Sequence, residues 1–302
     1  PQVQASVALP EVPAESLPAR PAFAQLAKEV AVLHARVSEQ VASDQFATVE
    51  ARASELLREL ARPSFWDDRD RARLVNSAIY QLTRVTERLA DLRRRVDALA
   101  EVPAILRRHA RTAEVIELDR LDRRVRQLQD EFGLARLELL AAARSDPREL
   151  AAVGAVSCCV SIAPVLAPGA REAGDWPRAL AQMYAAWATR REYDVGQVEA
   201  DGGYAVRIQG PSVGEILRGE VGIHKRQTPS EGRRRPAVQL ARVSLENGAT
   251  AREDTYTVVR VYHLAGAAYV RDQRTGHRSS QPREVFAGAI DGFLLAYLVG
   301  AS

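Results

Sequence analysis

The sequence predicts an α+β protein, a three-helix coiled-coil bundle followed by a mixed α/β domain. Apolar residues recur every seven positions over two long stretches between residues 75 and 139, the mark of helices packed along a continuous seam. Beyond residue 150 several short runs rich in Val and Ile shorten that period to two, as strands do. Between and after them lie stretches with helical spacing, Leu180, Met183, Tyr184, Trp187 and then Ile290, Phe293, Leu294, Tyr297, so the second half mixes both element types.

Taken in order, residues 1–22 are rich in Pro, Ala, Val and Ser without a helical period, which predicts a flexible segment. They look like the ragged mature end left by a removed targeting peptide; an incomplete or renumbered N-terminus is the competing reading. From Phe23 the pattern becomes helical through Leu26, Val30, Leu33 and Val37 and resumes at Phe46, Val49, Ala53, Leu56 and Leu60. Arg62-Pro63 ends it, because the residue before Pro is driven from the α region. The second helix carries the heptad series Val75, Leu82, Leu89, Val96 and Ala78, Val85, Leu92, Leu99, with Pro103 closing it. The third carries Leu118, Val125, Phe132, Leu139 and Leu121, Leu128, Ala135. These define a helical domain over 23–145, linked at Ser145-Asp146-Pro147 to a second domain over 146–302. The groups Arg93–Arg95, Arg107-Arg108 and Arg123-Arg124-Arg126 fall off the seam and fit either a solvated face or an RNA or protein surface.

The second domain opens with a β-like run, Val153–Val165. A helix follows, with Asp175 at the capping position, Pro177 in its first turn and Tyr184 and Trp187 on its core face. Strands are expected at Tyr204–Ile208, at Val238–Leu245 with Val238, Leu240 and Arg242 as its alternating positions and Val243 and Leu245 close by, and at Thr257–Tyr262. One amphipathic helix is expected from Val285 to Leu298.

At 302 residues the chain can hold two cores. No run approaches the ~18 apolar residues of a membrane span. The formal charge is +3, and Lys28 and Lys225 are the only lysines. Arginine's fork suits phosphate, yet a codon-biased genome accounts for the same bias. Cys158 and Cys159 are adjacent with no second pair, which reads as a buried, reduced pair in a strand rather than a metal site.

Four ordered stretches resemble the type 2 branch of the bacterial peptide chain release factors. Pro63–Asp68, PSFWDD, is similar to the family's P-x-F-W-D-D between helices. Glu172-Ala173, Asp175-Trp176, Met183-Tyr184 and Trp187-Ala188 match its T-E-A-x-D-W and R-M-Y-x-x-W-A. Gly219–Lys225, GEVGIHK, with Gly232-Arg233-Arg234, is similar to E-x-G-V-H-R and G-R-R, and Tyr269–Gly276, YVRDQRTG, to V-K-D-x-R-T-G. The resemblance spans most of residues 23–299.

It also marks what this chain lacks. The family hydrolyses peptidyl-tRNA with a Gly-Gly-Gln loop on a separate domain, and Gly-Gly-Gln occurs nowhere here. Where the resemblance places that domain, only Glu246–Glu253, ENGATARE, separates the two matching stretches; a short turn joining two strands as a hairpin is expected. The codon-reading Ser-Pro-Phe corresponds to Thr228-Pro229-Ser230, which keeps a hydroxyl and loses the aromatic ring. Arg235-Pro236-Ala237-Val238 replaces H-T-S-F, losing its stacking His. His224 matches outside that loop and reads as structural.

No catalytic, cofactor or metal residues are expected. The five His are scattered without an HExxH spacing, and Asp67-Asp68 reads as a helix cap. RNA contact is assigned to Arg233, Arg234 and Arg235, with Thr228 and Lys225 beside them and Arg107 and Arg108 on the helical domain. The implied role is a catalytically inactive structural or assembly component of an organellar ribosome, mitochondrial before plastid. Its partners would be ribosomal RNA and neighbouring proteins, with no small-molecule substrate. An organellar RNA-binding protein acting on transcripts and a divergent termination factor are the alternatives.

Overall fold

The computed structural model describes residues 20–108, 115–145, 157–166, 174–200, 203–229, 236–246 and 256–300. The chain divides into two compact units, residues 1–41 with 89–132, and 42–88 with 133–302.

The helices are α1 (Arg20–Val41), α2 (Asp44–Leu60), α3 (Arg69–Arg108) and α4 (Val115–Arg144). The first predicted helix is therefore two. The break falls at Ser43, whose hydroxyl accepts the Phe46 N–H at 3.3 Å and caps α2. Pro103 does not stop α3, which runs on to Arg108 at the loss of one i→i−4 hydrogen bond. In the first unit the predicted seam is the core: Val30, Leu33, Val37, Leu92, Val96, Val125 and Leu128 are buried. Arg95 pairs with Glu131 at 2.7 Å and with Asp91, while Arg93 and Arg94 are paired on the helix surface. That cluster is an ion-paired helix face.

In the second unit a 3₁₀ turn, Pro63–Asp67, leads into α3, and Asp68 Oδ1 accepts the N–H groups of Asp70 and Arg71 at 3.1 and 3.0 Å. Asp68 is thus the cap expected of it. From α2, Arg52 donates to the carbonyls of Ala142, Ala143 and Ser145, satisfying the orphan acceptors that end α4.

The remainder of this unit is an eight-stranded sheet with helices on one face. Its elements are β1 (Ser157–Val165), α5 (Trp176–Arg190), β2 (Asp194–Ala200), β3 (Gly203–Gln209), α6 (Val213–Leu217), β4 (Gly222–Thr228), β5 (Ala237–Glu246), β6 (Val258–His263), β7 (Tyr269–Asp272), β8 (Arg278–Ser279), α7 (Pro282–Phe286) and α8 (Asp291–Gly300). The strand order is β2-β3-β1-β5-β4-β6-β7-β8, antiparallel except for β4 with β6. The expected hairpin between β5 and β6 does not form. β4 lies between them, and at its start the Ile223 N–H donates to the carbonyl of Thr257, just ahead of β6.

Trp176, Leu180, Met183, Tyr184 and Trp187 of α5 are fully buried among Cys158, Val160 and Ile162 of β1 and Ile208 of β3. Cys158 and Cys159 are buried and reduced, and 153–156 of the expected run lie outside the described residues. On β5 the inward positions are Ala241 and Val243, both fully buried, whereas Val238, Leu240 and Arg242 are not buried. The expected phase of that strand was off by one, which exchanges its faces. The final helix is also two, α7 and α8. Gly288 stands between them at φ +91°, where a Cβ would come within 2.4 Å of the Trp187 backbone nitrogen.

Candidate functional site

The site assigned from sequence centres on β4, and period 2 decides what each of its residues does. His224, Arg226 and Thr228 occupy the helix-side face, and Ile223, Lys225 and Gln227 the other. Thr228 and Lys225 are therefore on one strand but on opposite faces. Both are half-buried, and Lys225 lies opposite Leu240 on β5 and Val261 on β6. Arg107 and Arg108 belong to the last turn of α3, and their side chains lie outside the described residues. Arg233, Arg234 and Arg235 fall wholly outside the described residues, as does Ser230.

Behind β4 the start of α5 is bolted to the strand. Trp176 Nε1 donates to the His224 carbonyl at 2.9 Å, and the Arg226 guanidinium lies 5.0 Å over the Trp176 ring. Arg226 also donates to Gln239 Oε1 at 2.7 Å and to Asp175. Asp175 occupies the capping position of α5, but its side chain makes no capping bond. Its hydrogen bond with Arg226 instead holds its carboxyl below the usual carboxylate range. Arg226 is thus fixed on the helix side of the sheet, and Lys225 alone of the two cations faces the open side.

Beneath the strand lies a buried polar network that the sequence reading missed. Glu220 and Arg260 are each about 1% exposed and share two hydrogen bonds of 2.6 Å. Tyr184 donates to the same carboxylate at 2.9 Å. Asp272, fully buried, lies 3.6 Å from Arg260 and 3.1 Å from Arg274. Burial raises the Asp272 pKa, but the hydrogen bond of Arg274 and the charges of both arginines outweigh it and leave it lowered. Arg260 also sits 4.2 Å over the Phe293 ring. Both terminal nitrogens of Arg260 are paired and, among the described residues, only its Nε lacks a hydrogen-bond partner, so the charges tolerate burial.

His224 completes the network and is fully buried, as a structural residue would be. Nε2 lies 2.9 Å from the Glu220 carbonyl, an acceptor only, so Nε2 carries the proton and Nδ1 accepts from the Tyr262 hydroxyl at 3.2 Å. Burial pushes its pKa down to about 4, so the ring is neutral at physiological pH. Nothing in this arrangement places a base beside a reachable nucleophile. Among the described residues no group of three His, Cys, Asp or Glu could hold a metal, and no helix is long and apolar enough to cross a membrane. One signal for the network was present: Asp272 and Arg274 both belong to the YVRDQRTG stretch, while Arg260 in V-V-R-V-Y reads as a surface residue.

Comparison with known proteins agrees with the motifs. The PCRF domain family matches residues 49–236. Peptide chain release factor 2 of Chloroflexus aggregans is 25% identical over 249 residues, covering 79% of this chain and 60% of that protein. Peptide chain release factor 2 of Treponema pallidum is 28% identical over 222 residues, covering 72% of this chain and 53% of that protein. The matched stretches thus span little more than half the length of these relatives. Among solved structures, RF2 of Thermus thermophilus aligns with a TM-score of 0.48 at 17% identity, over 83% of this chain and 93% of that one. The chain carries a PCRF domain over more than half its length and belongs, at low identity, to the peptide chain release factor 2 family.

Proposed function

We propose that this protein is a release-factor body without hydrolytic activity, acting as a structural or assembly component of an organellar ribosome, the mitochondrial one in first place. The observation that carries the reading is the junction between β5 and β6. β5 ends at Glu246, β6 begins at Val258, and both belong to one continuous sheet. Residues 247–257 are all that separates them, where the resemblance implies an entire catalytic domain. With no Gly-Gly-Gln elsewhere in the sequence, the chain offers no group to place a water against a peptidyl ester. What remains is the scaffold, with its buried network and the strand that leads into the old codon loop.

Co-sedimentation with purified organellar ribosomal subunits tests the partner. A built-in component stays with its subunit when salt is raised, whereas a loosely held RNA binder is washed off as counterions compete. Loss of the protein into the supernatant at moderate salt would overturn the assembly role. Organelle fractionation tests the location, and enrichment outside mitochondria would overturn that part.

A further inference from the structure

The face of the sheet opposite the helices carries a band of cations that the resemblance does not assign. The strand registers align Lys225 on β4 with Val261 on β6, Val261 with Arg271 on β7, and Arg271 with Arg278 on β8. Lys225 and Arg271 are thus two strands apart, roughly 10 Å, and Arg271 and Arg278 about half that. Arg242 lies on the neighbouring strand β5, opposite Ile223 and one step from Lys225 on the same face. Arg207 on β3 extends the band towards the far side of the sheet. Arg207, Arg271 and Arg278 are exposed.

A face serving only to keep the sheet soluble would mix its signs. The chain as a whole nearly balances, with 42 basic and 39 acidic residues. Yet by strand register this face carries five cations against two carboxylates, Asp194 on β2 and Glu246 at the end of β5. Arg271 and Arg278 stand directly opposite one another, which like charges do at a cost to the sheet. Among the described residues neither has a carboxylate partner. The Arg278 guanidinium is instead held 4.3 Å over the Tyr269 ring, itself stacked on His263 at 5.0 Å, and His263 Nδ1 meets Gln227 Oε1 at 3.0 Å. That ladder fixes the direction of a cation. At the other side of β4, Arg242 lies 5.7 Å over Tyr256, a ring that is 70% exposed. Forked cations at strand spacing beside an exposed ring are what a single-stranded RNA backbone with an unpaired base requires. An acidic peptide would not call for the ring.

We propose that the open face of the sheet, through Arg242, Lys225, Arg271 and Arg278, docks the sugar-phosphate backbone of single-stranded RNA. This deepens the ribonucleoprotein reading by naming a surface, and it rests on that reading.

The test compares the full-length protein with R271Q/R278Q and with R69Q/R73Q, a control of equal charge change on exposed positions of α3. The probe is a labelled oligouridylate of about twenty nucleotides, titrated from low to high salt. Two lost phosphate contacts should make the slope of log affinity against log salt shallower by about 1.4, or weaken binding roughly 25-fold at ~0.1 M salt. The control should bind as the unaltered protein does. Melting temperature should hold or rise in R271Q/R278Q, because an opposed like-charge pair has been removed. Equal binding by R271Q/R278Q and the unaltered protein would overturn the proposal. So would tighter binding to polyglutamate than to the oligonucleotide, which would make the partner an acidic protein. Unchanged RNA binding with new self-association would show instead that the pair guards the sheet edge. Pelleting the same variants with ribosomal subunits separates the two claims: subunit binding without oligouridylate binding sinks this surface and leaves the ribosomal role standing.

Discussion

Glu220 and Arg260 hold each other through two 2.6 Å hydrogen bonds in a space that leaves each about 1% exposed. Removing either partner strands a charge where water cannot reach it. Arg260→Leu should therefore destabilise the fold by roughly 3–5 kcal/mol, seen as a lower urea midpoint at pH 7. The double variant E220L/R260L should cost less than the two single changes added together. Additive costs would mean that the pair is not the unit holding β6 to the turn before β4.

His224 makes the stability depend on pH. Its pKa of about 4 in the fold lies below the ordinary 6.5. The unfolded chain therefore binds a proton first as pH falls, and stability is lost between about 6.5 and 4, on the order of 3 kcal/mol in all. His224→Gln can keep both hydrogen bonds through its amide while removing the titration. Unfolding midpoints at pH 7 and 4.5 should differ less in this variant than in the unaltered protein. An identical pH loss in both would show that His224 does not titrate as a buried ring.

Trp187 is fully buried, edge-on to Tyr193 at 5.6 Å, and donates to Asp291 Oδ1 at 3.0 Å. Trp187→Ala should cost about 3–5 kcal/mol. An unchanged melting temperature would contradict its burial.

Gly288→Ala should also destabilise, by more than the ~1 kcal/mol that an ordinary loop change brings. The positive φ and the approach to the backbone of Trp187 leave no room for a methyl group. A variant as stable as the unaltered protein would show that α7 and α8 can shift together away from α5.

How much of this was legible follows from where the physics is local. Leu82, Leu89 and Val96 announce their seam because a heptad repeat is visible without knowing the partner helix, and all three are buried. Leu180, Met183, Tyr184 and Trp187 do the same for α5. β4 was hidden because only Gly222, Ile223 and His224 are buried in a run that otherwise reads as polar, GIHKRQT. The face of β5 misled, and that of β6 was unreadable, for a related reason. Val238, Leu240 and Val261 look like core residues, but the inward places go to Ala241, Val243, Arg260 and Tyr262. Arg260 can be inward only because Glu220 waits there, 40 residues earlier, and no local pattern records a partner at that distance. Of the RNA residues assigned from sequence, Lys225 lies on the open face, and its neighbours in the band came from strand register alone.

The proposed function is that of a release-factor body that no longer releases peptide. It is tested most directly by mixing the purified protein with ribosomes that hold formyl-Met-tRNA next to each stop codon in turn. Release should be no faster than without any factor, since Gly-Gly-Gln is absent and residues 247–257 alone join β5 to β6. Release above that background at any stop codon would contradict it.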